Sequence, residues 1–394
     1  MDKNKSIISY CTGCGACKSA QLANLRKNFN GFCIAEPTNK DFNIFCRQIC
    51  FSQGMQYRGI SSNKIWGKVL HSYYAWSADA NIRYKASSGG TITALCIYLL
   101  ESRRVNGIVH TAVDPNSPIG TISVCSTTKD ELIERCGSRY SSSSPLCDIY
   151  KYLGTGKKYC FVGKPCDVAT LRNLMHYDNR FKKTFPILIS FYCAGVPSEK
   201  ANLSLLHKLN VELDKCVSLK YRGDGWPGYA TAIDIYGDAH KMYYRNAWRD
   251  TLGRDIRKIC RFCSDGIGEM ADIVCFDAWY TDKDNKPVFD EADGRNGVFC
   301  RSNIGLEIFE EAVKRGYLIA HDYLEYNKDL PYYQAYQHDR RSTLSVCILA
   351  LTMFFKQSPR YPFILIFKLA KNSGLRIQWR RFKGTVQRIR QGKI

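Results

Sequence analysis

KKYCFVGKPCDVATLRNL, residues 157–174, decides the fold, because it reads as strand, tight loop and helix. A short apolar run stops at Gly163, Pro165 suits a first helical turn, and apolar residues then recur at helical spacing. FPILISFYCAGVPSEKANLSLLHKL (185–209) repeats the plan. Upstream, TITALCIYLLESRR (91–104) has helical periodicity with a basic end, and GIVHTAV (107–113) reads as a buried strand. CVSLKYRG, YATAIDIYG and ADIVCFDAWY add strands near 216, 229 and 271. These βα units predict an α/β (mixed α+β) body, a mostly parallel or mixed sheet covered by helices.

The chain of 394 residues has room for two or three domains. An apolar fraction of 45% fits a globular protein rather than a disordered one. Nineteen cysteines are the outlier. The opening MDKNKSIISYC has no apolar core of a signal peptide, so metal or redox use in a reducing, cytoplasmic compartment is expected over a disulfide framework. The reading divides the chain into a small cysteine-rich module (1–60), a body in two parts (61–150 and 151–335) and a basic tail (336–394).

CTGCGAC (11–17) places Cys11, Cys14 and Cys17 at the C-x2-C-x2-C spacing of a ferredoxin motif. The slot for the fourth cysteine holds Gln21, and Leu22 stands where a proline would follow. Thr12, Gly13, Gly15 and Ala16 are small enough for backbone amides to approach cluster sulfurs. Either the motif is dead or its fourth ligand comes from a distant segment. Cys50 in FCRQICFSQG is preferred over Cys46, which sits in an apolar stretch, and Cys33 stands behind both. A ferredoxin-like 4Fe-4S module is the expectation, with a zinc knuckle or buried free thiols as the alternative.

A second group is more dispersed. Cys166 and Cys193 follow strands, at the carboxyl ends where ligands sit in α/β sheets, and Cys260 with Cys263 forms a C-x2-C pair. Together they number four, enough for a second cluster, with Lys164 and helix N-termini offsetting its charge. Buried core thiols are the competing reading. Ser87, Ser88, Gly89, Gly90 and Thr91 open a helix, which suits either a phosphate or an ordinary N-cap. The Rossmann and P-loop fingerprints are absent.

Net charge is +21, yet residues 340–394 carry 13 Lys and Arg and no acid. The two apolar runs of the tail, 344–355 and 362–367, are too short to span a bilayer. A solvated face packed on the body comes first. Peripheral contact with the inner face of a membrane comes second, and nucleic acid third for want of a recognition motif.

CTGCGAC, ASSGGTITAL, GSRY (137–140), FVGKPC, FYCAG, RGDGWPG, CRFC and ADIVCFDAW, in that order over about residues 8–300, resemble the coenzyme F420 hydrogenase/dehydrogenase beta-subunit family. That family includes 7-hydroxymethyl chlorophyll a reductase and members from polysaccharide gene clusters. The resemblance implies an N-terminal iron–sulfur module before an α/β flavin-binding catalytic body, with two 4Fe-4S clusters and FAD. It implies Cys11, Cys14, Cys17 and Cys50 for one cluster and Cys166, Cys193, Cys260 and Cys263 for the other. Ser87–Thr91, Ser138 and Tyr140 would line the flavin. Tyr140, Lys164 and Asp277 are the candidate proton donors or polarising groups, against a structural role for each. Electrons would pass from a ferredoxin-like donor to a deazaflavin or a glycan precursor. Two departures stand out: Phe276 replaces the Gly that relatives usually carry before Asp277, and the N-terminus has room for one cluster only. The reading from another class is a zinc-binding scaffold or nucleic-acid-binding protein with a basic tail.

Overall fold

The computed structural model describes residues 7–53, 65–284 and 286–394. The expected boundary at 60/61 lies outside the described residues. In the N-terminal part, helix α1 (Ala16–Ser19) precedes the hairpin of β1 (Ala23–Lys27) and β2 (Cys33–Pro37), and helix α2 (Phe42–Ile49) follows.

The body is built on one eight-stranded mixed sheet. Its strands are β3 (His71–Ser77), β4 (Gly107–Asp114), β5 (Ser117–Ser126), β6 (Tyr159–Val162), β7 (Ile187–Phe191), β11 (Ile273–Asp277), β12 (Asn296–Cys300) and β13 (Leu318–Asp322), in the spatial order β13-β3-β12-β11-β7-β6-β4-β5. The four central strands β11, β7, β6 and β4 run parallel, and the pairs outside them are antiparallel. The βα units centred on 157–174 and 185–209 therefore produce the parallel core that their pattern predicts. Strands β8 (Cys216–Lys220), β9 (Tyr229–Asp234) and β10 (Ala239–Tyr243) form a separate antiparallel sheet.

Both faces of the large sheet are covered, and its two-residue period divides the core. Ile108, Cys160, Ile187, Ile189, Ile273 and Val298 pack with helices α3 (Thr91–Glu101) and α7 (Asn303–Lys314) on one face. Val109, Phe161, Leu188, Val274 and Phe299 alternate with them and pack on α4 (Pro165–Tyr177) on the other. Strands buried on both faces read as continuous apolar runs, and that is how they were legible. The N-terminal part lies on the α4 face: Cys14, Ala16 and Ile49 share its core, and Asn173 Nδ2 donates to the Ile49 carbonyl (3.0 Å).

Helix α5 (Glu199–Lys208) packs on the separate sheet through Leu205 and Leu206, and α6 (Lys258–Arg261) packs through Ile259 beside Ala169 of α4. The C-terminal segment forms α8 (Ala335–Ser342), α9 (Leu344–Met353), α10 (Phe363–Ala370) and α11 (Leu375–Arg390). Helix α8 is buried along one side through Gln337, Arg340 and Arg341. Among the described residues no helix is long and apolar enough to cross a membrane.

Candidate functional site

Cys11, Cys14 and Cys17 wrap a tight turn that leads into α1. Gly13 and Gly15 there take φ of 75° and 88°. A Cβ at Gly15 would stand 2.8 Å from the backbone of Cys147, so both conformation and space demand glycine. At the end of α1 Gln21 adopts φ 60°, turning the chain away at the position where a ferredoxin motif places its last cysteine. Cys50 comes near the turn from another segment. It caps the C-terminal end of α2 and lines one cleft with Cys11, Cys14, Cys17 and Cys46.

Electrostatics tie the same residues together. Burial, then Cys50, push the Cys14 thiol up to about 12. Burial with Cys14, Cys50 and Cys11 raises Cys17 further. Cys50 is raised first by a hydrogen bond with Cys46 and then by burial. Burial and mutual repulsion thus favour the protonated thiols of Cys14, Cys17 and Cys50, and nearby positive charge would be needed to hold them as thiolates. Cys33 does not line that cleft but lies against the same turn: Ser144 Oγ donates both to its sulfur (3.2 Å) and to the Gly13 carbonyl (2.7 Å).

The second group also converges. Cys166 is the second residue of α4, immediately after β6, and Cys193 follows the parallel neighbour β7, its N–H donating to the Gly266 carbonyl (2.9 Å). Cys260 lies on α6 and Cys263 just beyond it. Cys193 is pushed up to about 11 by burial and Cys260, and Cys263 to about 12 by burial, with Cys260 and Cys193 adding to it. Cys166 is raised by burial and by Asp167, Cys193 and Cys263. Each thiol thus lies within electrostatic reach of others in its set. Among the described residues no three His, Cys, Asp or Glu side chains close around a single ion.

The charges that oppose these thiols were not foreseen from sequence, apart from Lys164. Lys164 Nζ bonds Asp167 (2.7 Å) and Ser143 Oγ (2.6 Å). Burial works against its charge, but Asp167, Cys166 and Cys193 hold its pKa above the ordinary value. Asp167 also acts on both Cys14 and Cys166, so this pair is within electrostatic reach of a cysteine in each group. Arg257 donates to the carbonyls of Cys11 and Cys33 (both 3.0 Å) and to Ser142 (2.9 Å), one residue before α6. Arg340, from α8, donates to the carbonyls of Cys193 (2.7 Å), Ala194 (3.3 Å) and Cys260 (3.2 Å). Arg340 fills the space beside Gly266, where a Cβ would collide with its guanidinium.

The Ser–Gly loop and the GSRY turn meet: the Ser138 N–H donates to Ser87 Oγ (2.7 Å). The hydroxyls, however, serve the protein. Ser88 donates to Arg295 O (2.9 Å), Thr91 to Ala75 O (3.1 Å), and Ser87 toward Arg222 O (3.4 Å). Gly89 and Gly90 allow the close passage of Asn296 and Ile82. Tyr140 lies edge-on to Tyr221 and Trp248 and beside Tyr244. Beyond it Arg222, fully buried, holds Asp277 at 2.8 Å and lies over the rings of Tyr244 and Trp279. Arg222 Nη2 and Trp226 Nε1 are buried donors without a protein partner among the described residues. Aromatic walls and two unmatched donors fit a flavin, which has a planar ring system and carbonyl and phosphate acceptors. Asp277 and Tyr140 belong to this region, whereas Lys164 stands with the cysteines.

Phe276 faces the sheet's α4 side, stacked on Tyr192 with ring centres 4.5 Å apart. Its partner across the antiparallel pair is Gly297, where any Cβ would strike the Phe276 ring. The bulk on one strand is matched by its absence on the next.

Comparison with known proteins agrees with this architecture. The family described as "Coenzyme F420 hydrogenase/dehydrogenase, beta subunit" matches in both of its parts, the C-terminal one over residues 156–325 and the N-terminal one over 72–151. Coenzyme F420 hydrogenase subunit beta from Methanococcus voltae is 26% identical over 64% of this chain and 84% of its own length. The F420-dependent formate dehydrogenase subunit beta from Methanocaldococcus jannaschii is 28% identical over 61% of the chain and 59% of its own. A chain from the F420-reducing [NiFe] hydrogenase complex of Methanosarcina barkeri shares the fold, with a TM-score of 0.59 and 20% identity over 75% of this chain and 97% of that one. The chain belongs to the coenzyme F420 hydrogenase/dehydrogenase beta-subunit family, a family of oxidoreductase subunits.

Proposed function

We propose that the protein is an iron–sulfur flavoprotein reductase or dehydrogenase of the cytoplasm, which takes electrons from a ferredoxin-like donor and delivers them to a small-molecule substrate. The observation that supports this reading is the clustering of thiols: Cys11, Cys14, Cys17 and Cys50 line one cleft together with Cys46, and Cys166, Cys193, Cys260 and Cys263 lie within electrostatic reach of one another. Two 4Fe-4S clusters would supply single-electron transfer and FAD the conversion to hydride chemistry.

The residues divide the remaining tasks. The eight thiolates hold the clusters, and Lys164, Arg257 and Arg340 offset the negative charge. Arg222 and the Trp226 indole offer donors to the flavin, and the rings of Tyr140, Tyr244 and Trp279 exclude water from it. Asp277 holds Arg222 in place. Its carboxylate is engaged with the buried guanidinium, so we assign it positioning rather than proton donation. Coenzyme F420 heads the candidate substrates because it is named in the relatives. A glycan precursor rests on the resemblance to polysaccharide-cluster members alone.

The test is anaerobic reduction of the full-length protein by reduced ferredoxin, followed at the flavin and cluster absorbance bands. Cys50→Ser should slow ferredoxin-driven reduction of the flavin at least about 100-fold while dithionite still reduces it. Equal rates in the variant and the parent would overturn the proposed route.

A further inference from the structure

The C-terminal helices have two unlike sides. Leu344, Cys347, Leu351, Ile366 and Ile389 are buried in the cluster that also contains Cys263. Away from that cluster Phe355 is 98%, Phe363 74% and Leu375 88% exposed, with Ile364, Phe367 and Trp379 each more than half exposed. Single exposed apolar residues are ordinary, but several large ones in consecutive short helices are not.

Basic side chains stand among them. Lys371 approaches the Phe367 ring (5.7 Å), and Lys383 approaches the Trp379 ring (5.1 Å). Lys356, Lys368 and Arg376 are exposed nearby in sequence. On α10, Phe363 and Phe367 are one turn apart and stacked, while Ile366 and Leu369 of the same helix are buried. Rings that end in ammonium groups, on helices too short to span a bilayer, match the interfacial zone where acyl chains meet headgroups.

We propose that this outer side of α10 and α11, with Phe355, docks on an anionic lipid bilayer. Charge selects this occupant over a second copy of the chain. A two-fold contact would set the same basic surface against itself, because residues 340–394 contain no acid to pair with it. An anionic surface attracts every one of these lysines and arginines, while the phenylalanines and Trp379 enter the acyl boundary. Nucleic acid would satisfy the charge but would leave Ile364 and Leu375 without apolar burial. The inference does not depend on the redox reading, because it uses none of the cysteines.

The experiment is co-sedimentation of the full-length protein with vesicles of phosphatidylcholine containing about one-third phosphatidylglycerol, against pure phosphatidylcholine. Binding to the anionic vesicles alone is expected, weakening at about 0.5 M salt, where charges are screened within a few ångströms. Phe363→Ser with Phe367→Ser should weaken it about tenfold or more with unchanged circular dichroism, since both side chains are already in solvent. Substitution of Lys368 and Lys371 by Glu should weaken it comparably. The proposal is overturned by any of three results: no binding to anionic vesicles, equal binding by the double Phe variant, or self-association or duplex-DNA binding that the Phe substitutions abolish in place of vesicle binding.

Discussion

Gln21 and Cys50 show what a spacing motif can and cannot reveal. The Cys11–Cys14–Cys17 triplet was legible because three ligands from one turn are a local property. The polar surroundings of Cys50 favour it over Cys46 as the fourth member, yet the structure brings both to the same cleft. Arg257 and Arg340 were not legible. They reach carbonyls of the cysteine loops from segments without a spacing signature, and Arg340 comes from a stretch that looked like solvated basic tail. Arg340→Gln should therefore cost the protein the iron of the second site, about half of the total, while the first site keeps its own. Arg340→Lys should not restore it, because one ammonium cannot replace a fork that bonds three carbonyls. Iron content and the electron paramagnetic resonance of the reduced protein read both outcomes.

Another residue-scale prediction concerns acid. His110 on β4 is bonded to Ser126 (2.8 Å), and burial pulls its pKa down to about 4 from 6.5. Between those values the unfolded chain carries the extra proton, so stability is lost as pH falls from about 7 to about 4. The shift corresponds to about 3 kcal/mol. His110→Asn should flatten that slope relative to the parent in urea unfolding at several pH values. An unchanged slope would place the acid sensitivity elsewhere.

At the scale of elements, the central strands were readable and the flanking ones were not. Strands β6, β7 and β11 are apolar on both faces, so their runs stand out in the sequence. Strands β5 and β13 are the two edges of the sheet; β5 mixes Ile119, Ile122 and Val124 with serines and Gly120, and β13 leaves Ile319 exposed, so neither stands out as a continuous apolar run. The Phe276–Gly297 pair lies across two elements, which is why Phe276 looked like an anomaly when only its own strand was considered. Gly297→Ala should destabilise the protein by about 1–3 kcal/mol through overpacking against the ring. In a Phe276→Ala background the same substitution should cost less than about 1 kcal/mol, since the space is then free. Equal penalties in both backgrounds would mean that the pair is not coupled. The Ser87–Thr91 loop teaches the converse lesson: a motif suited to phosphate can use its hydroxyls to tie strands and loops together.

For the whole molecule, one surface of the parallel sheet gathers the chemistry. Adjacent parallel strands β6, β7 and β11 lead to Cys166, Cys193 and Asp277, so sheet topology alone sets part of a cysteine set near the Arg222 region. The N-terminal cysteine turn packs onto the same face through α4. The C-terminal helices close the second set from outside through Arg340 and present their apolar and basic side to solvent. Composition had signalled the metal or redox class, since nineteen cysteines without a disulfide framework have few other uses. It carried no information about which distant cysteines meet, because that depends on crossover connections.

The central claim, two iron–sulfur clusters and a flavin in one chain, is tested most directly by anaerobic purification and quantification of iron, acid-labile sulfide, zinc and flavin in a single sample. The account predicts about eight iron, about eight sulfide and about one FAD per chain. Zinc in place of iron, with no flavin, would contradict it and assign the cysteines a structural role.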